Sequence, residues 1–292
     1  MDIVITYVDG NDPVWKKDYE EYTQVPVMEK RFRDWGTLKY LLRGIEINMP
    51  FIRNVYLVVS HPSQVPQWVD MDNLKIVLHK DIIPQEHLPT FNSATIEMHL
   101  HKIDGLDEEY LYFNDDLYPL DKCEPTDFFR EGKGVLGFSR HFLSSGMFKK
   151  ICRLSDTYAR KALGMSSSWC FVRPQHTCTP MFRSECKKLY SILKDDIDRS
   201  ISRTRTESNL SQYLFLDYQY YKGCMIPQRL SNKHFSVALA TPEGLTSFIM
   251  KPSRKIMCVN DVRLSESKYQ TLRKAMIDAF ECKFPAKSRF EK

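Results

Sequence analysis

Apolar residues along the chain fall into two repeating patterns. IVITYV (3–8), NVYLVVS (54–60), LKIVLHK (74–80), EYLYFN (109–114) and KIMCVN (255–260) are short runs rich in Val, Ile and Tyr. Gly, Pro, Asn or Asp bounds them, so each predicts a strand. Several are almost continuously apolar, as strands covered on both faces are. Between them the period lengthens. Residues 34–48 place Trp35, Leu38, Leu41, Leu42 and Ile45 at helical spacing, with Asp34 as N-cap and Pro50 as stop. Residues 93–103 place Ile96, Leu100 and Ile103 on one helical face. The order strand, helix, strand, strand, helix, strand predicts an α/β fold with a mostly parallel sheet flanked by helices. The second half reads differently. Residues 131–170 are rich in Gly, Ser, Arg and Lys with weak periodicity, and predict an insertion or a mobile lid. Helical patterns follow at 181–195 and 208–222, then at 267–283, where Ser267 and Gln270 have capping-box spacing. The expectation is one catalytic domain over 1–292. It has an N-terminal α/β part (1–130), a mostly helical or loop insertion (131–250) and a strand and helix that complete the core (251–292).

Three of the strand patterns end in acid. YVDGND (7–12) runs into Asp9, Asn11 and Asp12, YFNDD (112–116) into Asp115 and Asp116, and CVND (258–261) into Asn260 and Asp261. Asn and Asp are good turn formers, so each exit alone is explained by a turn. Ligands of open α/β sheets bind at the carboxyl ends of strands, so three acidic exits can also converge on one site. Carboxylates there suit Mg²⁺ or Mn²⁺ bridging a diphosphate. Arg31 and Arg33 precede one helix, and Arg203 and Arg205 precede another. Arginine is the bidentate clamp for phosphate, although each is equally a solvated surface residue. His176, on a loop between Pro174 and Pro180, is a candidate general base or acid. His99 and His101 lie two apart and share no helical face, which argues against a helical metal pair. Asn92 and Ser93 fall at a helix N-terminus, as caps, as anion or hydroxyl contacts, or as both.

Composition adds exclusions. The net charge of +5 suits an anionic substrate or an acidic membrane surface, and no nucleic-acid motif is present. None of the eight cysteines forms a C-x-x-C pair, so buried thiols are expected rather than a zinc ribbon or a disulfide framework. No apolar run reaches the roughly 18 residues of a membrane span. The N-terminus starts as a strand rather than as a signal peptide. The expected location is the cytoplasm, with the inner membrane face left open through basic patches such as KPSRK (251–255).

These residues together resemble the Stealth family. DIVITYVDGNDPVW (2–15) is similar to its first conserved region, and the span 31–116, from RFRDWG to YFNDD, to its second. The span 173–221 is similar to the third, and CVND with the following helix, 258–291, to the fourth. The resemblance implies a Rossmann-like, glycosyltransferase-like sheet and a sugar-1-phosphate transferase. A UDP-sugar, with N-acetylglucosamine as the default sugar, would donate hexose 1-phosphate to a saccharide or polysaccharide hydroxyl. The reaction would release UMP with Mg²⁺ or Mn²⁺ as cofactor, in capsule or exopolysaccharide synthesis. It implies Asp9, Asp12, Asp115, Asp116, His176 and Arg205 as catalytic residues. Asp115 or Asp116, with Asp261 or Asp12, would hold the metal, and Arg205 with Arg31 or Arg33 would neutralise the diphosphate. Arg203 is a rival to Arg205, Asn92 and Ser93 would contact donor sugar or phosphate, and Asn260 belongs to the fourth motif. His176 would take the acceptor proton. Animal members carry anchors and large modules between the second and third regions, where this chain has only residues 117–172. That favours a compact bacterial capsule or exopolysaccharide enzyme and leaves open a piece of a larger protein. Homo-oligomerisation is left open. The alternatives are a metal-dependent glycosyltransferase releasing UDP and a carbohydrate-binding relative without catalysis.

Overall fold

Ile3, Val4 and Ile5 and the whole run Val55–Val59 are buried, so these two segments read as unbroken apolar strings rather than as alternating ones. They are the middle of the main sheet. The computed structural model describes residues 1–24, 32–260 and 264–292. In chain order the strands begin with β1 (Asp2–Thr6), β2 (Val55–Val59), β3 (Lys75–Leu78), β4 (Glu109–Asn114) and β5 (Leu117–Pro119). Short strands follow: β6 (Phe129–Arg130), β7 (Lys133–Val135), β8 (Phe138–His141), β9 (Phe171–Pro174) and β10 (Thr179–Phe182). The last are β11 (Met225–Ile226), β12 (Asn232–Ser236) and β13 (Ile256–Asn260). The main sheet has the order β10-β4-β1-β2-β3 and is parallel except at its edge, where β10 runs antiparallel to β4. The α/β class with a mostly parallel sheet is therefore observed.

The chain divides into two compact units, whose boundaries pass through β1, β3 and β4. The first comprises Met1–Val4, Val77–Tyr112 and Pro125–Leu230. Its long helix Met147–Ala162 lies across 131–170, the stretch expected to be an insertion or a lid. Ile151, Cys152, Ser155, Asp156 and Ala159 face inward there, so a clearly amphipathic helix stands inside a stretch otherwise rich in Gly and Ser. Asp156 is satisfied by the Val172 backbone N–H at 3.0 Å and Arg160 Nε at 2.9 Å. This helix packs against Tyr213–Tyr221, nearly all of which is buried. The pattern at 181–195 resolves into two helices, Arg183–Ile192 and Lys194–Ser200. The helix expected over 93–103 ends at Glu97 and gives way to a 3₁₀ turn at Leu100–Lys102. His99 and His101 are buried beside Tyr190, and burial holds both imidazoles neutral, at about 4 and about 3.

The second unit comprises Ile5–Ile76, Phe113–Glu124 and Ser231–Lys292. β13 pairs in parallel with β12 and antiparallel with β5. Helix Leu38–Asn48 packs on β5, and Pro242–Met250 packs on Glu266–Lys283. Two expected caps move. Thr37 rather than Asp34 is the N-cap residue of Leu38–Asn48, because Asp34 turns back to accept from the Gly36 N–H at 2.8 Å. Ser265 rather than Ser267 caps the last helix, accepting from the Lys268 N–H.

A buried ion pair latches the C-terminal strap. Arg43 Nε and Nη2 each donate to Glu291 at 2.8 Å, and Nη1 donates to the Phe284 carbonyl at 2.7 Å. Truncating the arginine in Arg43→Ala strands a buried carboxylate, and is expected to lower the free energy of unfolding by about 3–5 kcal/mol. Denaturant titration would read this as a shifted midpoint. The eight cysteines are thiols rather than disulfides and five are buried, as expected.

Candidate active site

In the second unit the chain leaves β1 through Tyr7 and Asp9. Buried Gln64 holds this exit by both ends of its amide, accepting from the Asp9 N–H at 2.7 Å and donating to the Asp9 carbonyl at 3.1 Å. The Asp9 carboxylate accepts from the Asn11 N–H at 2.8 Å, which closes a tight Asx turn. Gly10 follows because nothing larger fits: a Cβ there would lie 2.2 Å from the Phe32 carbonyl oxygen. Asp12 is buried and caps helix Pro13–Thr23, with Oδ1 accepting from the Trp15 N–H at 2.7 Å.

The second acidic exit meets the first. Tyr7 hydrogen-bonds to Asp34, and its phenol is driven far above its ordinary range by burial and by Asp34, Asp9 and Asp115. Burial raises the Asp34 carboxyl as well, with Asp9 adding to it, while the Gly36 N–H, Tyr7 and Arg273 oppose the rise. The Asp115 carboxyl is pushed up to about 8, first by burial and then by Asp116 and Asp34. It keeps a partly exposed edge. The third exit joins through β13. The Val259 N–H donates to the Asp116 carbonyl at 2.9 Å, and the Cys258 thiol donates to Asp116 Oδ2 at 3.7 Å. Asn260 ends that strand, while Asp261 and Arg31 lie outside the described residues.

The last helix of this unit faces the same acids. Tyr269 donates its hydroxyl to the Asp34 carbonyl at 2.9 Å, and the Arg33 guanidinium lies over its ring at 4.1 Å. Arg273, one turn on, approaches so closely that a Cβ on Gly36 (φ +68°) would meet its Nη2 at 2.7 Å. Asn11, Lys16, Arg33 and Gln270, together with the carboxylates Glu20 and Glu266, line a cavity of about 490 Å³ that borders this cluster. Its size is that of a small-molecule site. In this unit, Tyr7, Asp34, Gln64 and Arg273 are members of the site that sequence reasoning missed. The i, i+4 spacing of Tyr269 and Arg273 was the one available signal.

In the first unit Asn92 caps helix Ser93–Glu97, accepting from the Ala94 N–H at 3.1 Å. Its amide nitrogen donates to Asn209 Oδ1 at 3.0 Å and to the Ser202 carbonyl at 3.1 Å, so this fully buried side chain ties the 202–209 loop to the helix. On that loop Arg205 donates to the Ser93 hydroxyl, and Arg203 extends toward the Leu88 carbonyl at 3.4 Å. Both arginines are exposed. Behind Ser93 lies buried Glu97, whose carboxyl is raised by burial against the Gln212 N–H, which donates at 2.9 Å, and against the charge of Arg205. His176 is half-buried on the loop from β9 to β10. Its neighbour Gln175 is fixed at both ends of its amide by the Leu230 backbone, at 2.9 and 3.1 Å.

A family model described as Stealth protein CR2, conserved region 2, matches residues 31–136. The capsular polysaccharide phosphotransferase WcwK of Streptococcus pneumoniae is 32% identical to this chain, over 100% of it and 99% of the relative. The chain belongs to the Stealth family. The receptor polysaccharide phosphotransferase WefC of Streptococcus oralis, at 30% identity over 100% and 99% of the two chains, is a further relative. This Stealth protein is accordingly a transferase enzyme. The matched region contains Arg33, Asp34, Asn92, Ser93, Glu97, Asp115 and Asp116. Among solved structures, a galactosyltransferase LgtC with donor and acceptor sugar analogs aligns over 99% of this chain and 98% of its own, at a TM-score of 0.48 and 12% identity.

Proposed function

We propose that this protein transfers hexose 1-phosphate, with N-acetylglucosamine as the expected sugar, from a UDP-sugar to a saccharide hydroxyl. The product is a phosphodiester, the released nucleotide is UMP, and the setting is synthesis of capsular polysaccharide or exopolysaccharide in the cytoplasm. The names of the relatives support the reaction class. The observation that carries the reading is the crowding of Asp9, Asp34, Asp115 and Asp116, with Asp115 pushed up to about 8 by burial and its acidic neighbours. Carboxylates that raise one another are short of positive charge.

That shortage fits a divalent cation, and Asp115 and Asp116 are the residues that would hold it. Bound there, Mg²⁺ or Mn²⁺ would supply charge neutralisation for phosphoryl transfer. The chain's own residues do the remainder. Tyr7 and the Gly36 N–H fix Asp34 behind the acidic pair, and the Gln64 clamp fixes the Asp9 turn. Asp12 anchors that turn as a helix cap. Arg33 and the cavity beside it offer a cation and polar groups to the donor, and Asn260 stands at the exit that meets Asp116. Arg205, set by Ser93 and by the Asn92 staple, neutralises phosphate oxygens, with Arg203 as the nearby second cation. His176 takes the proton of the attacking hydroxyl. Attack falls on the phosphorus that bears the sugar, so the anomeric bond is never broken.

The test is product analysis with UDP-N-acetylglucosamine, Mg²⁺ or Mn²⁺ and a saccharide acceptor. UMP is expected, and its formation should stop on chelation and resume when metal is restored. Formation of UDP instead, or turnover indifferent to chelator, would overturn the reading.

A further inference from the structure

The first unit carries a surface that the catalytic reading does not use. Trp169 is 92% exposed, Leu143 78% and Phe142 68%, and Met165 is exposed as well. Phe142 and Trp169 meet at one end of the β8–β9 ribbon, and Leu143 follows Phe142 in the chain. His141 pairs with Phe171 in the register, so Phe142 leaves one strand where Trp169 leads toward the other. One guanidinium ties the two loops, since Arg153 Nη2 donates to the Phe142 carbonyl at 2.6 Å and to the Trp169 carbonyl at 3.2 Å. The aromatic tips are thus held out on a fixed base.

The charge around them is mainly positive, although Glu207 pairs with Lys150 and Asp196 with Lys161, each at 2.7 Å. Between Gly132 and Ser184 the chain has nine lysines and arginines, while its one carboxylate, Asp156, is buried. Arg140 is exposed on the ribbon itself. The His141 imidazole is held below its ordinary value by burial and by Arg173 and Lys149, which is the mark of a positive field at this edge. The loops at 142–146 and 163–170 contain no carboxylate, Asn or Gln, and their only uncharged polar side chains are serines. Two copies meeting face to face here would set positive against positive.

We propose that this end of the ribbon is a membrane-docking surface, inserting Trp169, Leu143 and Phe142 among the headgroups of an anionic lipid bilayer while the surrounding cations bind its surface charge. Indole rings favour the depth where apolar and wet layers meet, and basic side chains near an anionic bilayer each add to the attraction. Among the described residues no helix is long and apolar enough to cross a membrane, so docking of this kind is peripheral. The inference does not depend on the reaction assigned above.

The experiment is co-sedimentation of the purified full chain with vesicles of phosphatidylcholine alone or of phosphatidylcholine with phosphatidylglycerol. Binding is expected only to the anionic vesicles, weakening as salt rises. The double variant W169S/L143S, and separately R140Q/K149Q, should each lower partitioning at least about tenfold. The exposed Leu239→Ser, outside these loops, should leave it unchanged. These side chains lie at the surface, so all variants should melt with the parent protein, and each is checked by circular dichroism. Failure to bind anionic vesicles would overturn the proposal, as would binding that both double variants retain. A parent dimer that W169S/L143S converts to monomer would also overturn it, by assigning the surface to a second copy.

Discussion

Asp115→Asn is expected to abolish turnover while making the metal-free protein more stable at neutral and alkaline pH. The two effects share one cause. In the folded chain the Asp115 carboxyl is raised to about 8 by burial, Asp116 and Asp34, whereas in the unfolded chain it ionises near the ordinary Asp value of about 4. The folded state therefore holds a proton that the unfolded state releases. Stability from this group is complete below about pH 4, and is lost as pH climbs toward 8. An amide of the same shape does not ionise, so the variant should show a flatter loss of melting temperature between pH 5 and 8 in the presence of chelator. The buried imidazoles of His99 and His101 act with the opposite sign, destabilising the fold as pH falls below about 6.5, and they are common to both proteins. Removing a charged metal ligand should cost several kcal/mol of transition-state stabilisation, about a thousandfold in rate. In the parent protein, metal must displace the Asp115 proton, so metal affinity should rise about tenfold per pH unit up to pH 8. A variant that is active, or one no more stable than its parent in chelator at pH 8, would refute this placement.

His176→Ala tests the other half of the chemistry. A general base contributes about 10²–10⁴-fold, so kcat should fall by that factor with the donor KM little changed. The variant should also lose the limb of the pH–rate profile that reports the base. Gln175 fixes the loop independently through Leu230, so the fold should survive the substitution. A loss of less than tenfold in a folded variant would remove His176 from the reaction.

The α/β class was legible because the central strands are nearly pure apolar strings, and the acidic exits stood out against them. In the second unit the acidic exits come together, with Asp9, Asp34 and Asp115 raising the Tyr7 phenol and the Val259 N–H donating to the Asp116 carbonyl. Asp34 was missed as a member of the cluster because an Asp just before an apolar periodic run has the sequence form of an N-cap; only the turn to Gly36 shows its carboxylate facing Tyr7. Glu97 was missed for a related reason, since a glutamate on a helix reads as solvent-facing until its neighbours are known. The helix Met147–Ala162 has a clear two-sided pattern, with Ile151, Cys152, Ser155, Asp156 and Ala159 inward, but it lies inside a stretch whose Gly-, Ser- and Lys-rich composition reads as a loop. Asn92 was read correctly as a helix start, but the loop it staples lies more than a hundred residues away, beyond any local pattern.

The central claim is that the bond broken joins two phosphorus atoms through oxygen, and not sugar to oxygen. A UDP-sugar radiolabelled at the phosphorus next to the sugar distinguishes these directly. After incubation with metal and acceptor, the label should appear in the glycan, in a linkage cleaved by phosphodiester chemistry, with unlabelled UMP released. Label recovered in free UDP, with an unlabelled sugar added to the acceptor, would contradict the account.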